Sequence, residues 1–298
     1  MSTKAGQVQF EEALRHHAKV RQIYDVLRHR DCIKIYGFDA YTVSAQLEAQ
    51  GLWMHGYPDR ALDVAQDALR AARDLHHPWM LACVLLWAAM VCAYRRDMPM
   101  CATWVDSSRA LADEHGFPDW SAIGRILAGW TSALAGEPHG LDAIREGLAD
   151  YEAMHARMAV TLFCIFGAEA ALHLGNSAAA GDYLARGFHT AADTGEEAFL
   201  AELHRLRGEL VLVEDLPLTE RQREAEAHFE AAIAVAARQA AHGSELRATT
   251  SLGRLWLSTD RAAEAALRLR RIRARFEEGF DTFDLRESAQ VLAKLEEP

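Results

Sequence analysis

Fourteen histidines, five cysteines and a set of arginines and tryptophans are the side chains of this 298-residue sequence with chemistry to offer. A metal site needs its histidines on one helix face. His16-His17 and His76-His77 are adjacent pairs, which point in different directions on a helix, and no H-x-x-x-H or H-E-x-x-H spacing occurs. Cys92, Met98, Met100 and Cys101 gather soft sulfur near one turn, a set that could hold copper(I). Sulfur side chains filling the end of a helical hairpin account for the same cluster, and no metal or other cofactor is expected. The cysteines Cys32, Cys83, Cys92, Cys101 and Cys164 include no C-x-x-C pair. They fit small buried apolar residues in a reducing compartment. Serine, histidine and aspartate are scattered, with no G-x-S-x-G. No G-x-x-x-x-G-K-[ST] loop is present to cradle phosphate. The chain is therefore expected not to be an enzyme.

Arginine and the aromatics are more informative, because they carry much of the binding energy at interfaces. The candidates for a ligand- or partner-binding face are Trp87, Tyr94, Arg125, Trp130, Arg205, Arg247 and Arg254, with Arg207, Glu209 and Trp256 beside them. On a chain of net charge −11, a groove carrying these arginines would favour an acidic peptide or an anionic ligand. A second reading makes Trp87, Trp130 and Trp256 core residues and pairs the arginines with Glu202, Glu209 and Glu245. The same negative charge argues against a general nucleic-acid-binding role, since phosphate neutralisation needs surplus cations. Only four lysines occur, so nearly all the positive charge is arginine. With the high alanine content, that bias suggests a GC-rich bacterial genome.

The elements that position these residues follow from a period. Gly56-Tyr57-Pro58-Asp59, Arg96-Asp97-Met98-Pro99, Gly136-Glu137-Pro138 and Gly175-Asn176-Ser177 recur about forty residues apart between stretches rich in Ala and Leu. Within the stretches apolar residues recur at helix spacing, as in Leu62, Ala65, Leu69 and Ala72. The pattern predicts an opening helix over Gln9–Arg28 and a loop to Asp39. Paired helices follow: Ala40–His55 with Asp59–Leu75, Pro78–Tyr94 with Met98–His115, and Pro118–Ala135 with Gly140–His155. Then come Arg157–Leu174 with Ser177–Thr194, Glu196–Val213 with Glu220–Ala240, and Ser244–Ser258 with Ala262–Glu278. Leu285–Leu295 closes the stack. Asp59 and Ser177 read as N-caps, Gly129 as a close helix approach, and Glu214–Thr219 as the longest, most polar break. Ala225, Phe229 and Ala232 show a small–large–small spacing similar to the tetratricopeptide repeat (TPR) pattern. The expected fold is all-α: a TPR-like right-handed superhelix of about six or seven helical hairpins. Residues 1–39 would form an N-terminal helix and connecting loop, and 40–298 the repeat array with a C-terminal capping helix.

The stretches Gly56-Tyr57-Pro58-Asp59-Arg60-Ala61-Leu62, Gly116-Phe117-Pro118-Asp119-Trp120, Ala201-Glu202-Leu203-His204-Arg205-Leu206-Arg207-Gly208-Glu209-Leu210 and Gly279-Phe280-Asp281-Thr282-Phe283-Asp284-Leu285 carry a resemblance. From about Tyr24 to Leu295 the chain resembles the C-terminal TPR region of bacterial regulators that join an adenylate/guanylate cyclase domain to an NTPase module. MalT-type TPR domains resemble it more distantly. The resemblance implies an interaction or sensing arm, with catalysis carried by modules this sequence lacks. The chain is compatible with a free-standing protein or with a piece of a larger regulator.

Two functions are expected on these grounds. The first is a non-enzymatic signalling or regulatory module that binds a protein partner or peptide through its concave face. The second is a sensor of a small anionic or aromatic effector, with a solenoid-based enzyme further off. No signal peptide opens the chain, and the apolar run Trp79–Ala93 is short of a bilayer span. A cytoplasmic protein without a membrane partner is expected. A homodimer through the last helix is compatible with the pattern.

Overall fold

The computed structural model describes residues 3–25 and 32–297. Fifteen α-helices follow one another among these residues, with no strand. Helix α1 (Thr3–Ile23) and a short α2 (Cys32–Tyr36) precede six antiparallel hairpins. These are α3 (Ala40–Met54) with α4 (Pro58–Asp74), α5 (Pro78–Arg95) with α6 (Met98–His115), and α7 (Pro118–Leu134) with α8 (His139–Ala153). Then come α9 (Val160–His173) with α10 (Ser177–Thr194), α11 (Leu200–Val211) with α12 (Leu218–Gln239), and α13 (His242–Trp256) with α14 (Ala262–Arg273). Helix α15 (Phe283–Leu295) packs on α13 and α14. The fold is an all-α, TPR-like superhelix.

The second helices bury one face, and the first helices α5 and α9 are buried nearly all round. In α5, thirteen residues are buried, from Met80 to Tyr94. With 18 residues, α5 is long and apolar enough by composition to cross a membrane, but 72% of it is buried inside the fold. Its apolarity belongs to the core. Close packing depends on small residues at crossings. A Cβ on Gly129 would lie 2.6 Å from the Gly140 carbonyl oxygen, and one on Gly140 would lie 2.4 Å from that of Gly129. Helices α7 and α8 thus meet backbone to backbone. Ala225, Phe229 and Ala232 are fully buried, and the Phe229 ring fills the space over Gly208.

Several helix ends differ from expectation. Asp59 is not an N-cap: Tyr57 occupies that position in α4 and makes no side-chain capping bond. Asn176, not Ser177, caps α10, accepting from the Ala179 amide, and Gly175 before it takes the left-handed conformation at φ +72°. Helix α1 ends at Ile23, and the expected end at Arg28 lies outside the described residues. The connection after α11 is held by Arg207, whose guanidinium donates to Glu214 at 2.9 Å. The longer break is the one after α14. That helix stops at Arg273 instead of running on to Glu278, because residues 274–282 are drawn away to the other end of the chain.

There the stack closes on itself. Glu278 Oε1 accepts from the backbone N–H groups of both Asp59 and Arg60, each at 2.9 Å, and so caps α4 from 219 residues away. Asp59 reciprocates, its Oδ2 accepting from the Gly279 N–H at 2.7 Å, while Oδ1 accepts from Arg95 at 2.7 Å. Gly279 is at φ +73°, and a Cβ there would sit 2.1 Å from Pro58 Cγ, so a side chain is excluded twice. Phe276 and His242 pack over Gly56, and His242 Nδ1 lies 2.9 Å from the His55 carbonyl oxygen. The capping that the local α4 sequence omits is supplied by the far end of the array. Helix α1 braces the same end of the molecule, with His17 Nε2 2.6 Å from Glu48 on α3.

Candidate functional site

Closure turns the concave face into a cavity of about 500 Å³. Its wall comes from the first helix of successive hairpins: Leu134 on α7, Glu169 and Leu172 on α9, Arg205, Leu206 and Glu209 on α11, Arg247, Ser251 and Arg254 on α13, and Phe283, Asp284 and Glu287 on α15. Arg96 at the end of α5 and Met98 at the start of α6 join them. One helix face per hairpin points inward, which is how a repeat fold converts sequence spacing into a lining.

Each arginine of this wall is paired with a carboxylate. Arg96 ends α5 in the left-handed conformation at φ 60° and grips Glu169 with both terminal nitrogens, Nη1 to Oε2 at 2.7 Å. Arg205 holds Glu202 bidentately, Nε to Oε2 at 3.0 Å and Nη2 to Oε1 at 2.6 Å. Arg247 donates to Asp284 Oδ2 at 2.8 Å and to the Tyr94 carbonyl oxygen at 2.7 Å, and its guanidinium lies 4.9 Å from the Trp53 ring centroid. That one side chain therefore ties α13 to α15, α5 and α3. At the mouth, Arg254 sits between two carboxylates, donating to Glu209 at 2.9 Å and to Glu287. Ser251 donates to Glu209 at 2.6 Å.

Burial alone would raise the carboxyl pKa of Glu202, but Arg205 and Arg247 outweigh it and hold the group at about 2. Glu169 is likewise lowered: burial opposes its ionisation, and Arg96 prevails. These acids are fixed as carboxylates at neutral pH, which makes them poor general acids or bases. The buried thiols behave in the opposite sense. Burial pushes Cys83, Cys101 and Cys164 up to about 12, and Cys92 is raised as well. Thiols so held are neither good nucleophiles nor ready metal ligands.

Of the residues proposed from sequence, Arg205, Arg247 and Arg254 meet on the cavity wall. Trp130 is fully buried behind it, and its Nε1–H donates to Glu169 at 3.0 Å, orienting the carboxylate that Arg96 grips. Tyr94 is buried beside Trp53, their rings 4.7 Å apart, and contributes its carbonyl to Arg247. Trp87 packs against the core around Ala65 and Ala88. Arg125 stands apart, paired with Asp150 at 2.8 Å and Glu146 at 3.7 Å away from the cavity. Arg207 binds Glu214, and Trp256 is buried with its Nε1–H on Glu226 at 3.1 Å. Sequence reasoning missed Arg96, Glu169, Asp284 and Glu287. Arg96 and Asp284 flank helix ends, where they read as punctuation. Glu169 is an isolated acid in the apolar run Val160–His173, and that was the available signal.

No protein-family model matches the chain, and no curated protein matches its sequence. Similarity is found among solved structures. The apo form of RapI superposes with a TM-score of 0.55 at 10% identity, covering 98% of this chain and 96% of that one. A tetratricopeptide repeat protein from Parabacteroides merdae ATCC 43184 superposes with a TM-score of 0.52, also at 10% identity, covering 97% of this chain and 99% of that one. At such identities the likeness is one of fold, and it extends over the whole array.

Proposed function

We propose that the chain is a non-enzymatic TPR-type interaction module of a signalling or regulatory protein, and that it takes a segment of a protein partner into the central cavity. The carrying observation is the cavity itself. It has about 500 Å³ of space, walls drawn from four successive first helices and α15, and a polar framework of paired side chains. A preformed concave site with apolar walls and a few fixed polar groups is how ligand recognition is generally built. The TPR-like fold and the resemblance to the regulatory arms of cyclase–NTPase proteins support the same reading. The non-enzymatic part rests on the ion pairing, which holds Glu169 and Glu202 as carboxylates and engages the remaining acids of the wall with arginines.

A displayed random-peptide library panned against the full chain tests this. Selected peptides should lose binding when Leu172→Trp fills the cavity while far-UV and near-UV circular dichroism stay unchanged. Failure to select any peptide, or binding indifferent to that variant, contradicts the proposal.

A small-molecule effector is the second reading. The closure favours it, since a volume near 500 Å³ lies in the range of small-ligand sites. Thermal stabilisation of wild type, but not Leu172→Trp, by a fractionated metabolite extract would select this reading over the first.

A further inference from the structure

The sequence suggested an arginine-lined groove with a taste for anions, and the charge inventory of the cavity points the other way. In the interior, each arginine is matched by a carboxylate: Arg96 with Glu169, Arg205 with Glu202, and Arg247 with Asp284. At the mouth Arg254 is flanked by both Glu209 and Glu287 in a triad, and Glu209 also lies 3.7 Å from Arg205. Counted together, four arginines (Arg96, Arg205, Arg247, Arg254) meet five carboxylates (Glu169, Glu202, Glu209, Asp284, Glu287), which leaves one formal negative charge in excess. Both carboxylates keep part of their surface in solvent, 26% for Glu209 and 29% for Glu287.

Bringing a monoanion to any of these arginines means drawing the arginine off its carboxylate, or placing the anion beside one. Either leaves a partly buried charge without a partner, the expensive outcome for ion pairs. A cation meets no such cost. It can join Glu209 and Glu287 as a second counter-charge without breaking an existing pair, and each carboxylate has acceptor capacity for it. Beside the triad the wall turns apolar, with Leu172, Leu206 and Phe283, the last 47% exposed at the mouth. An aromatic face next to the triad adds a further attraction for an organic cation. The whole-chain charge of −11 pulls in the same direction at long range.

We infer that the cavity mouth recognises an organic cation, an ammonium or guanidinium group carried on an apolar body, held on the oxygens of Glu209 and Glu287 that Arg254 does not engage. The inference rests on the cavity being the binding site, and it names the chemistry of what enters. A basic side chain of a partner segment and a free amine both present that chemistry.

Isothermal titration of the full chain with matched probes tests it. N-acetyl-leucyl-arginine amide is compared with the same dipeptide carrying citrulline, a neutral isostere, and with one carrying glutamate. Phenethylamine and phenethyl alcohol make the corresponding free-ligand pair. The cationic member of at least one set should bind roughly tenfold tighter than its neutral partner, as a charge-assisted hydrogen bond gives. Glu287→Gln should erase that ratio while leaving the neutral probe's affinity unchanged. Preference for arginine alone assigns the cation to a peptide, and preference for phenethylamine alone assigns it to a free amine.

Equal or tighter binding of the citrulline and alcohol probes overturns the inference, as does tighter binding of the glutamate probe. An unchanged ratio in Glu287→Gln overturns it as well. In each of these cases, loss of all binding in Leu172→Trp leaves the cavity itself standing as the site. If no probe of any charge binds wild type, both the inference and the cavity reading fall.

Discussion

The body of the stack and the seam that closes it are held by different physics. Between α7 and α8 two glycine backbones touch, and around them Ile126, Leu127, Trp130 and Ile144 are fully buried. Each hairpin there meets its neighbours in sequence through apolar area, with little directionality. At the seam the contacts join residues 153 to 220 positions apart and are mostly polar: a carboxylate capping a distant helix, an aspartate receiving a loop amide, an arginine spanning four helices. The body sets how much the array is stabilised. The seam sets whether the array is open or closed, and hence whether a cavity exists.

Breaking the body should cost most. Trp130→Ala removes a fully buried indole and should lower the unfolding free energy by about 4 kcal/mol. Chemical denaturation should show this as one cooperative loss with an unchanged m-value. Arg247→Met comes next. It strands Asp284 and one side of Glu202 with reduced counter-charge, at about 3 kcal/mol by the usual cost of breaking a buried pair. Unlike the first variant, it should also loosen α13 from α3, seen as faster proteolysis near residues 55–60.

Gly279→Val addresses the seam alone. The left-handed backbone and the clash with Pro58 should cost about 2 kcal/mol. Small-angle scattering should show an expanded particle with its helical circular dichroism retained. If helicity collapses, body and seam are one cooperative unit and the distinction fails.

The mildest lever is pH. His55 is brought down to about 4 by burial and by His242 opposite, and His242 itself is lowered by burial and by Arg275. A base with a depressed folded-state pKa is held neutral by the fold. Its stabilising contribution is complete above about 6.5 and declines as pH falls toward 4. Glu202 acts over a lower window, complete above its ordinary carboxylate range and lost as pH falls toward 2. Loosening between pH 6.5 and 4 should therefore localise to the seam and be reduced in His55→Gln, as measured by residue-resolved hydrogen exchange.

The same contrast explains what could be read in advance. The limits of α6 and α10 coincide with those expected, because Asp97 and Asn176 cap them locally and glycines end them. Gly129 marked a close approach because a helix interior needs a reason to hold glycine. Local signals of this kind specify the body. Helix α14 ends at Arg273 although Ala262–Glu278 is locally good helix, because the distant α4 terminus draws Glu278 out of it. Arg205, Arg247 and Arg254 could be placed together because they lie on the first helices of successive hairpins. Their partners Asp284 and Glu287 come from a helix beyond the irregular loop, where the period no longer predicts register. The pairing of Arg205 with Glu202 and of Arg254 with Glu209 agrees with the second sequence reading, which left Asp284 and Glu287 out.

The account depends on the seam being closed in solution, and the amides of Asp59, Arg60 and Gly279 report on that directly. The first amides of a helix have no intrahelical acceptor and ordinarily exchange fast. Closure predicts that in hydrogen–deuterium exchange these three are protected in wild type to the level of a helix interior, and become fast in Glu278→Ala with the α5 amides unaffected. Fast exchange at Asp59 and Arg60 in wild type, with the rest of α4 protected, would show an open array and contradict the account.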